Sequence, residues 1–158
     1  MKMRRITTLA VSCLLVFMLA PALFAQESIE IQKILFAQEV TTFGLYEEEP
    51  SSTFKEDSQT VVYLELDNFR RVESNGTYSV DVALDFALLD SSGKALINEK
   101  NMVNFGNDNF KSKINDLYFT VDLNLKGIPA GEYTVVATVK DNNAKNYDEE
   151  QLGLEIVE

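Results

Sequence analysis

The stretch VVYLELDNF, residues 61–69, contains the side chains of this sequence that are best placed to do chemistry together. In the two-residue period of a β-strand, the apolar residues at 62, 64 and 66 share one face, and Tyr63, Glu65 and Asp67 share the other. Alternate residues on one face lie about 7 Å apart, which suits a bound cation or sugar hydroxyl, with Tyr63 as a stacking surface. The alternative is a solvated sheet face whose charge is offset by a neighbouring arginine or a cross-strand lysine.

Hydrolytic chemistry is poorly supported by the carboxylates. Asp81 and Asp85 lie four residues apart on one predicted strand, about 13 Å, which is too far for a glycosidase pair. Glu65 and Asp67 are closer, but both point off one open face and do not flank a bound sugar. The chain has no histidine and its single cysteine is Cys13, so Ser-His-Asp and Cys-His arrangements are excluded. We therefore expect no enzymatic activity.

A second cluster, DNNAKNYDEE at 141–150, concentrates the oxygen ligands that calcium prefers. Its candidate ligands are Asp141, Asn143, Asp148 and Glu150. The spacing does not fit an EF-hand loop, in part because a lysine occupies a ligand position, and Asx-rich hairpin loops are common without metal. We expect no cofactor, with Ca²⁺ in this segment as the alternative.

Three aromatic residues, Phe43, Tyr46 and Phe54, surround the acidic EEEP segment at 47–50. Together they would form an exposed patch for a partner, if they are contiguous. The alternative is a satellite of the core packed beneath a long loop.

The first residues predict the cellular localisation of the protein. MKMRR is followed by an apolar run from Leu9 to Ala20 and by PALFAQES, in which Pro21 ends the run and Ala25 precedes the expected cleavage site. This pattern is typical of a Sec-type signal peptide over residues 1–25. The run is short for a bilayer span, so we expect cleavage, no membrane insertion afterwards, and a periplasmic or extracellular protein.

Removal of residues 1–25 makes the chain strongly acidic. Three of the 14 Lys and Arg residues precede position 26 and none of the 25 Asp and Glu residues does, which leaves a net charge of −14. Such a surface repels phosphate backbones and anionic lipid heads, so we expect no nucleic-acid partner. Proteins and neutral glycans of the cell envelope remain as partners, and a homo-oligomer is compatible with the sequence.

The rest of the chain reads as strands separated by turns. The alternation in GTYSVDVALDFALLD, residues 76–90, is the clearest strand pattern, and Asn75-Gly76 before it predicts a hairpin turn. A second tight turn is predicted at 90–94, and a polar crossing at 107–116. The N-terminal segment 29–40 is predicted to be extended and capable of pairing with another chain.

The segment GIPAGEYTVVATVKD is the most informative for fold. Pro129 and Gly131 turn the chain, and Tyr133 follows at the start of a strand, where its hydroxyl can bond back to the backbone. This pattern is similar to the tyrosine corner of immunoglobulin-like domains. We predict an all-β, immunoglobulin-like antiparallel β-sandwich of about seven strands, a single domain over residues 26–158.

Two stretches also resemble a family of exported bacterial β-sandwich proteins of uncharacterised function. They are FGLYEEEPSSTFKEDSQTVVYLELDNF, with its Phe-Gly-x-Tyr and Tyr-x-Glu-x-x-Asn-Phe elements, and the Pro-x-Gly-x-Tyr corner. The resemblance covers residues 37–156 and implies export and an immunoglobulin-like fold, but no activity. We therefore expect a non-catalytic binding or structural module of the cell envelope, with a calcium-dependent adhesive or sensing domain as the alternative.

Overall fold

The computed structural model describes residues 28–158, apart from the side chains of 107–109. The predicted signal peptide lies outside the described residues. Within the described part, no helix is long and apolar enough to cross a membrane.

The described chain forms ten β-strands in two sheets. Their bounds are β1 Glu30–Thr42, β2 Leu45–Glu48, β3 Thr53–Lys55, β4 Gln59–Asp67, β5 Val72–Ser74, β6 Thr77–Asp90, β7 Ala95–Phe110, β8 Leu117–Asn124, β9 Gly131–Asp141 and β10 Asn146–Val157.

The first sheet, sheet A, has the strand order β2-β1-β4-β8. The first half of β1 pairs with β4, from Glu30 opposite Asp67 to Ala37 opposite Val61, and its second half pairs with β2. Over residues 30–35, β1 thus pairs with a strand on one side only, and on its other side the Ile29 and Ile31 N–H groups donate to side chains of β10. Pairing of segment 29–40 with another chain stays a prediction. β4 and β8 complete the sheet as an antiparallel pair.

The second sheet, sheet B, has the order β3-β10-β9-β6-β5, and β7 also pairs with β6. β3 runs parallel to β10, whereas the other pairings are antiparallel. The β5–β6 hairpin turns at Asn75 and Gly76, whose φ angles of 52° and 76° suit a two-residue primed turn, as predicted.

One core lies between the sheets, and alternation along the strands builds it. β4 contributes Val62 and Leu64, β6 contributes Leu84 and Phe86, and β8 contributes Phe119, all buried. Inward side chains from both sheets interdigitate as in other sandwiches, and burial of their apolar area is the main stabilising contribution.

A tyrosine corner closes one end of the sandwich. The Tyr133 hydroxyl donates a hydrogen bond of 2.7 Å to the Pro129 carbonyl. Gly131 has a φ of 156°, and a β-carbon at this position would meet the Tyr133 ring. The φ angle therefore favours glycine here, whereas the nearest ring atom, at 3.6 Å, would be an ordinary contact for a β-carbon.

The immunoglobulin-like sandwich is confirmed, but the strand number is higher than the predicted seven. The three-residue strands β3 and β5 lie in segments without a clear alternating pattern. β7 also continues to Phe110, into the segment that we predicted as a crossing. Short edge strands carry little sequence signal, because their pairing partners set their length.

Candidate functional site

The row of Tyr63, Glu65 and Asp67 lies on the outer face of sheet A, but its centre is buried. Tyr63 is 0% exposed and Glu65 is 9% exposed, whereas Asp67 is half-buried at the rim. The expectation that Tyr63 offers a stacking surface to a ligand is therefore wrong. The row is also not a solvated face, because other parts of the chain cover it.

The hairpin between β1 and β2 provides this cover. The pairing of β1 with β2 shifts register between Ala37 and Glu39 and again between Val40 and Thr42, and such irregularities bend a strand. At the hairpin tip, Gly44 has a φ of 68°, and its N–H donates a 2.8 Å hydrogen bond to the Tyr63 hydroxyl. The tip thus folds back over the outer face of sheet A.

Three tyrosine rings from three strands lie side by side on this face, and we call Tyr46, Tyr63 and Tyr118 the tyrosine row. The Tyr63 ring centroid is 4.6 Å from that of Tyr46 and 5.8 Å from that of Tyr118, distances at which aromatic pairs attract. Tyr46 and Tyr118 are half-buried, so each keeps part of its surface open to solvent. The buried Tyr63 fixes the positions of its two neighbours.

A lysine and a carboxylate complete the cluster. Lys33 lies opposite Glu65 in the β1–β4 pairing, with its Nζ 3.6 Å from Glu65 Oε1, so the predicted cross-strand lysine is present. Lys33 Nζ also donates a 2.9 Å hydrogen bond to the Tyr46 hydroxyl. That bond, with the nearby Glu65 carboxylate, holds the pKa of Lys33 above its usual value despite some desolvation.

The Tyr63 hydroxyl donates to Glu65 Oε1 at 3.0 Å. Burial raises the pKa of Tyr63 above its ordinary value of 10.0, and the bond to Glu65 raises it further, against the opposing effect of the Gly44 N–H. Tyr63 is therefore a neutral donor at physiological pH. Asp67 accepts a hydrogen bond of 2.8 Å from Gln32 Nε2 on β1, at the far end of the same face.

A polar cleft of about 300 Å³ lies on sheet A next to Tyr63 along β4, and none of the three tyrosines lines it. Val61, two residues before Tyr63 on the same face, lines it together with Gln38, Gln59, Asp122 and Asn124. Amide and carboxylate side chains can hydrogen-bond hydroxyl groups as donors and acceptors. A half-exposed aromatic row beside such a cleft suits a ligand with both an apolar face and hydroxyls.

The three aromatics around the acidic segment do not form one patch. Phe54 is buried in the core, and its ring packs edge-on against Phe36 at 5.0 Å. Tyr46 joins the tyrosine row on the outer face of sheet A, and Phe43 is half-buried in the hairpin between β1 and β2. The proposed contiguous patch is therefore wrong, because the strands carry Phe54 into the core and Tyr46 to an outer face.

Carboxylates of the acidic segment at 141–150 accept hydrogen bonds from backbone N–H groups. Asp141 is 1% exposed, and its carboxylate accepts hydrogen bonds from the N–H groups of Arg70, at 2.5 Å, and Ala144, at 2.9 Å. Asp148 accepts one from the Ile31 N–H at 2.8 Å.

The other two candidate ligands are Asn143, which contacts the same residue as Asp141, and Glu150. Asn143 donates to the Arg70 carbonyl at 3.5 Å, and Glu150 is exposed on β10. Among the residues that the structure describes, no group of three or more acidic, histidine or cysteine side chains is arranged to hold a metal ion.

A charged cluster that the sequence did not reveal lies on the outer face of sheet B. The Asp85 carboxylate accepts hydrogen bonds from Lys140 Nζ at 2.6 Å and from the Asn101 N–H at 2.8 Å, and Lys100 Nζ lies 3.2 Å away. Burial raises the pKa of Asp85, but the bonds from Lys140, Asn101 and Lys100 outweigh it and hold the pKa below the ordinary 3.8. Asn101 has a φ of 51° at a register shift of β7. Its hydrogen bond to Asp85 therefore stabilises a β-bulge.

The chain is similar to several solved structures, of which the first below supports the fold. The C-terminal domain of Wzt superposes with a TM-score of 0.52 at 10% identity, covering 84% of this chain and 75% of that domain. A Niemann-Pick type C2 protein from Japanese carpenter ant gives a TM-score of 0.48 at 11% identity, covering 85% and 96% of the two chains. The CARDB domain of the PF1109 protein from Pyrococcus furiosus, solved in complex with di-metal ions, gives 0.41 at 10% identity, covering 83% and 90%.

No protein-family model and no curated protein sequence matches the chain. At these identities a structural likeness shows the fold alone. The strand arrangement and the likeness to the Wzt domain establish an all-β, immunoglobulin-like sandwich.

Proposed function

We propose that this protein is an exported, non-catalytic binding module of the cell envelope whose ligand is a neutral glycan. The observation that carries the proposal is the tyrosine row: two half-exposed rings, Tyr46 and Tyr118, flank the buried Tyr63 beside a polar cleft. Sugar rings present apolar faces that stack on aromatic side chains, and their hydroxyls hydrogen-bond amides and carboxylates.

The charge distribution favours a neutral ligand over an anionic one. The chain beyond residue 25 has a net charge of −14, which opposes the approach of polyanions. The ammonium of Lys33 on this face is already engaged by Tyr46 and Glu65. The carboxylate of Asp122 in the cleft is an acceptor that suits hydroxyl donors.

A non-catalytic role agrees with the chemistry of this face. Glu65 Oε1 accepts the Tyr63 hydroxyl and faces Lys33, so this oxygen is engaged inside a buried cluster. Asp67, the next carboxylate on β4, hydrogen-bonds Gln32 at the rim. The two carboxylates do not flank a space in which a sugar could lie between them, as hydrolysis would require.

Binding can be measured with neutral oligosaccharides of glucan, mannan and galactan type by calorimetry and by tyrosine fluorescence, which is readable because the chain has no tryptophan. We expect binding by the wild type, loss of binding in Tyr118→Ala, and retention in Tyr147→Ala. Tyr147 is a matched control because it is 67% exposed on β10 of the other sheet. Unchanged oligosaccharide length after incubation would support the absence of catalysis.

Failure of all three glycan types to bind, or equal binding by Tyr118→Ala and wild type, would contradict the proposal. Export is tested separately, by fractionating bacterial cells that express the full-length chain. Protein retained in the cytoplasm at its full mass would refute that part.

A further inference from the structure

The free edges of the two sheets differ in how they are protected against pairing with another chain. Natural sheets protect edges by short strands, charged residues or bulges. β2 is four residues long and carries Glu47 and Glu48, and β3 has only three residues. Neither offers a long row of unpaired backbone groups.

β7 is long but irregular. Its pairing with β6 shifts register at three places, and Asn101 has a left-handed conformation at one of them. The Asp85 carboxylate stabilises this bulge by accepting a hydrogen bond from the Asn101 N–H. Bulges twist an edge and interrupt its hydrogen-bonding row, so β7 is a protected edge.

β8 is neither short nor bulged, and its one charged residue is Asp122. It pairs with β4 without a register shift, from Leu117 opposite Leu66 to Asn124 opposite Gln59. It contains no proline, glycine or lysine, and its side chains alternate regularly between the core and the outer face. Its other side bonds to no strand within residues 28–158.

We propose that β8 pairs with β8 of a second copy of this chain, antiparallel and around a twofold axis at Thr120. This register overlaps residues 117–123 of both copies and keeps core-facing residues opposite core-facing residues. Phe119 lies opposite Val121 of the second copy, and Tyr118 lies opposite Asp122. Aromatic residues opposite β-branched residues stabilise antiparallel sheets, and the Tyr118 hydroxyl can donate to the Asp122 carboxylate.

The strand is complementary to itself in this register, which is why the partner is a second copy. No like charges lie opposite each other, whereas moving the axis to Asp122 would place two carboxylates together. The pairing merges the two copies of sheet A into one eight-stranded sheet. It is an isologous contact, closed by its twofold symmetry. The contact uses Tyr118 and Asp122, which also belong to the proposed glycan face, so it is tested by self-association in the absence of glycan.

Analytical ultracentrifugation of protein expressed from the full-length chain tests the proposal. We expect a monomer–dimer equilibrium in the wild type. Thr120→Lys and Thr120→Glu each place like charges at the axis and should lower the association constant by about tenfold or more. Thr120 is exposed on the outer face, so both variants keep the core intact, which urea unfolding checks.

A mixture of the two variants shows whether the weaker association comes from repulsion at Thr120 or from another effect of the substitutions. The introduced lysine of one copy would face the introduced glutamate of the other, so the mixture should recover dimer that neither variant forms alone. Asn104→Lys on the exposed outer face of β7 is the control and should dimerise as the wild type does.

Three results would overturn the proposal. They are a wild type that stays monomeric at all concentrations, a dimer that persists in both Thr120 variants, and a mixture that recovers no dimer. A dimer lost in Asn104→Lys but not in the Thr120 variants would assign the contact to β7 instead.

Discussion

The Tyr63 hydroxyl donates a 3.0 Å hydrogen bond to Glu65, two residues along the same strand and on the same outer face of sheet A. The same hydroxyl accepts the Gly44 N–H from the hairpin tip. One buried side chain therefore joins the strand to the hairpin that covers it. The stability of this face depends on that hydroxyl.

Replacing Tyr63 by Phe should lower the free energy of unfolding by about 1–3 kcal/mol, because the Gly44 N–H and the buried Glu65 carboxylate each lose a partner. Urea unfolding at neutral pH measures the change. Tyr46→Phe is the control, since among the residues that the structure describes its hydroxyl is bound only by the exposed Lys33, and it should cost less than about 1 kcal/mol. Equal effects of the two substitutions would refute the role of Tyr63.

The raised pKa of Tyr63 predicts a loss of stability at alkaline pH. A folded-state pKa above the ordinary 10.0 means that folding favours the neutral phenol. This contribution is fully present below pH 10.0 and is lost as pH rises through the folded pKa. Stability should thus fall more steeply above that pH in the wild type than in Tyr63→Phe. Parallel curves would count against the prediction.

Replacing Asp85 by Asn should lower the unfolding free energy at neutral pH by about 1–3 kcal/mol, since Lys140 and the β7 bulge lose a charged acceptor. The lowered pKa of Asp85 contributes stability above the ordinary 3.8, and that stability is lost as pH falls through the folded pKa. The difference between wild type and variant should therefore disappear in acid. Asp81→Asn, on the same face of β6, is the comparison and should show a smaller effect.

Replacing Gly131 by Ala should destabilise the tyrosine corner by about 1–2 kcal/mol, because the φ of 156° strains any residue with a side chain. Thermal unfolding measures this change in stability. Gly153→Ala provides the control, since nothing lies within 4 Å of an added β-carbon there. It should be neutral or slightly stabilising.

Replacing Asp141 by Asn should lower the melting temperature equally with calcium and with a chelator. The buried Asp141 carboxylate accepts backbone N–H groups from two loops, a task that does not involve metal. Differential scanning calorimetry under both conditions measures this. A melting temperature of the wild type that rises with calcium, and fails to rise in the variant, would instead support the calcium-dependent alternative.

Much of the fold could be predicted because alternation and turn chemistry are local. The Asn75-Gly76 turn and the β6 pattern specify a hairpin without reference to the rest of the chain. The tyrosine corner could also be predicted from the sequence, since its hydrogen bond spans only four residues, from Tyr133 to Pro129. Such features depend on neighbours in sequence.

The candidate site was less predictable because it depends on contacts between distant segments. Alternation assigns Tyr63 to the outer face, but it does not show that a bent β1–β2 hairpin covers that face. Tyr118 lies 55 residues from Tyr63 along the chain and joins it only through the β4–β8 pairing. The bulge at Asn101 has no comparable signal, because Asp85 and Lys140 come from other strands.

The hydrogen bonds from Ile29 to Asn146 and from Ile31 to Asp148 each span 117 residues. They join the first described strand to the last one, so the sandwich cannot close until its C-terminal hairpin is available. Contacts so distant in sequence slow folding. A chain emerging N-terminus first can pair β1 with β2 and β4 early, but the side of β1 that bonds Asn146 and Asp148 stays open until β10 has emerged.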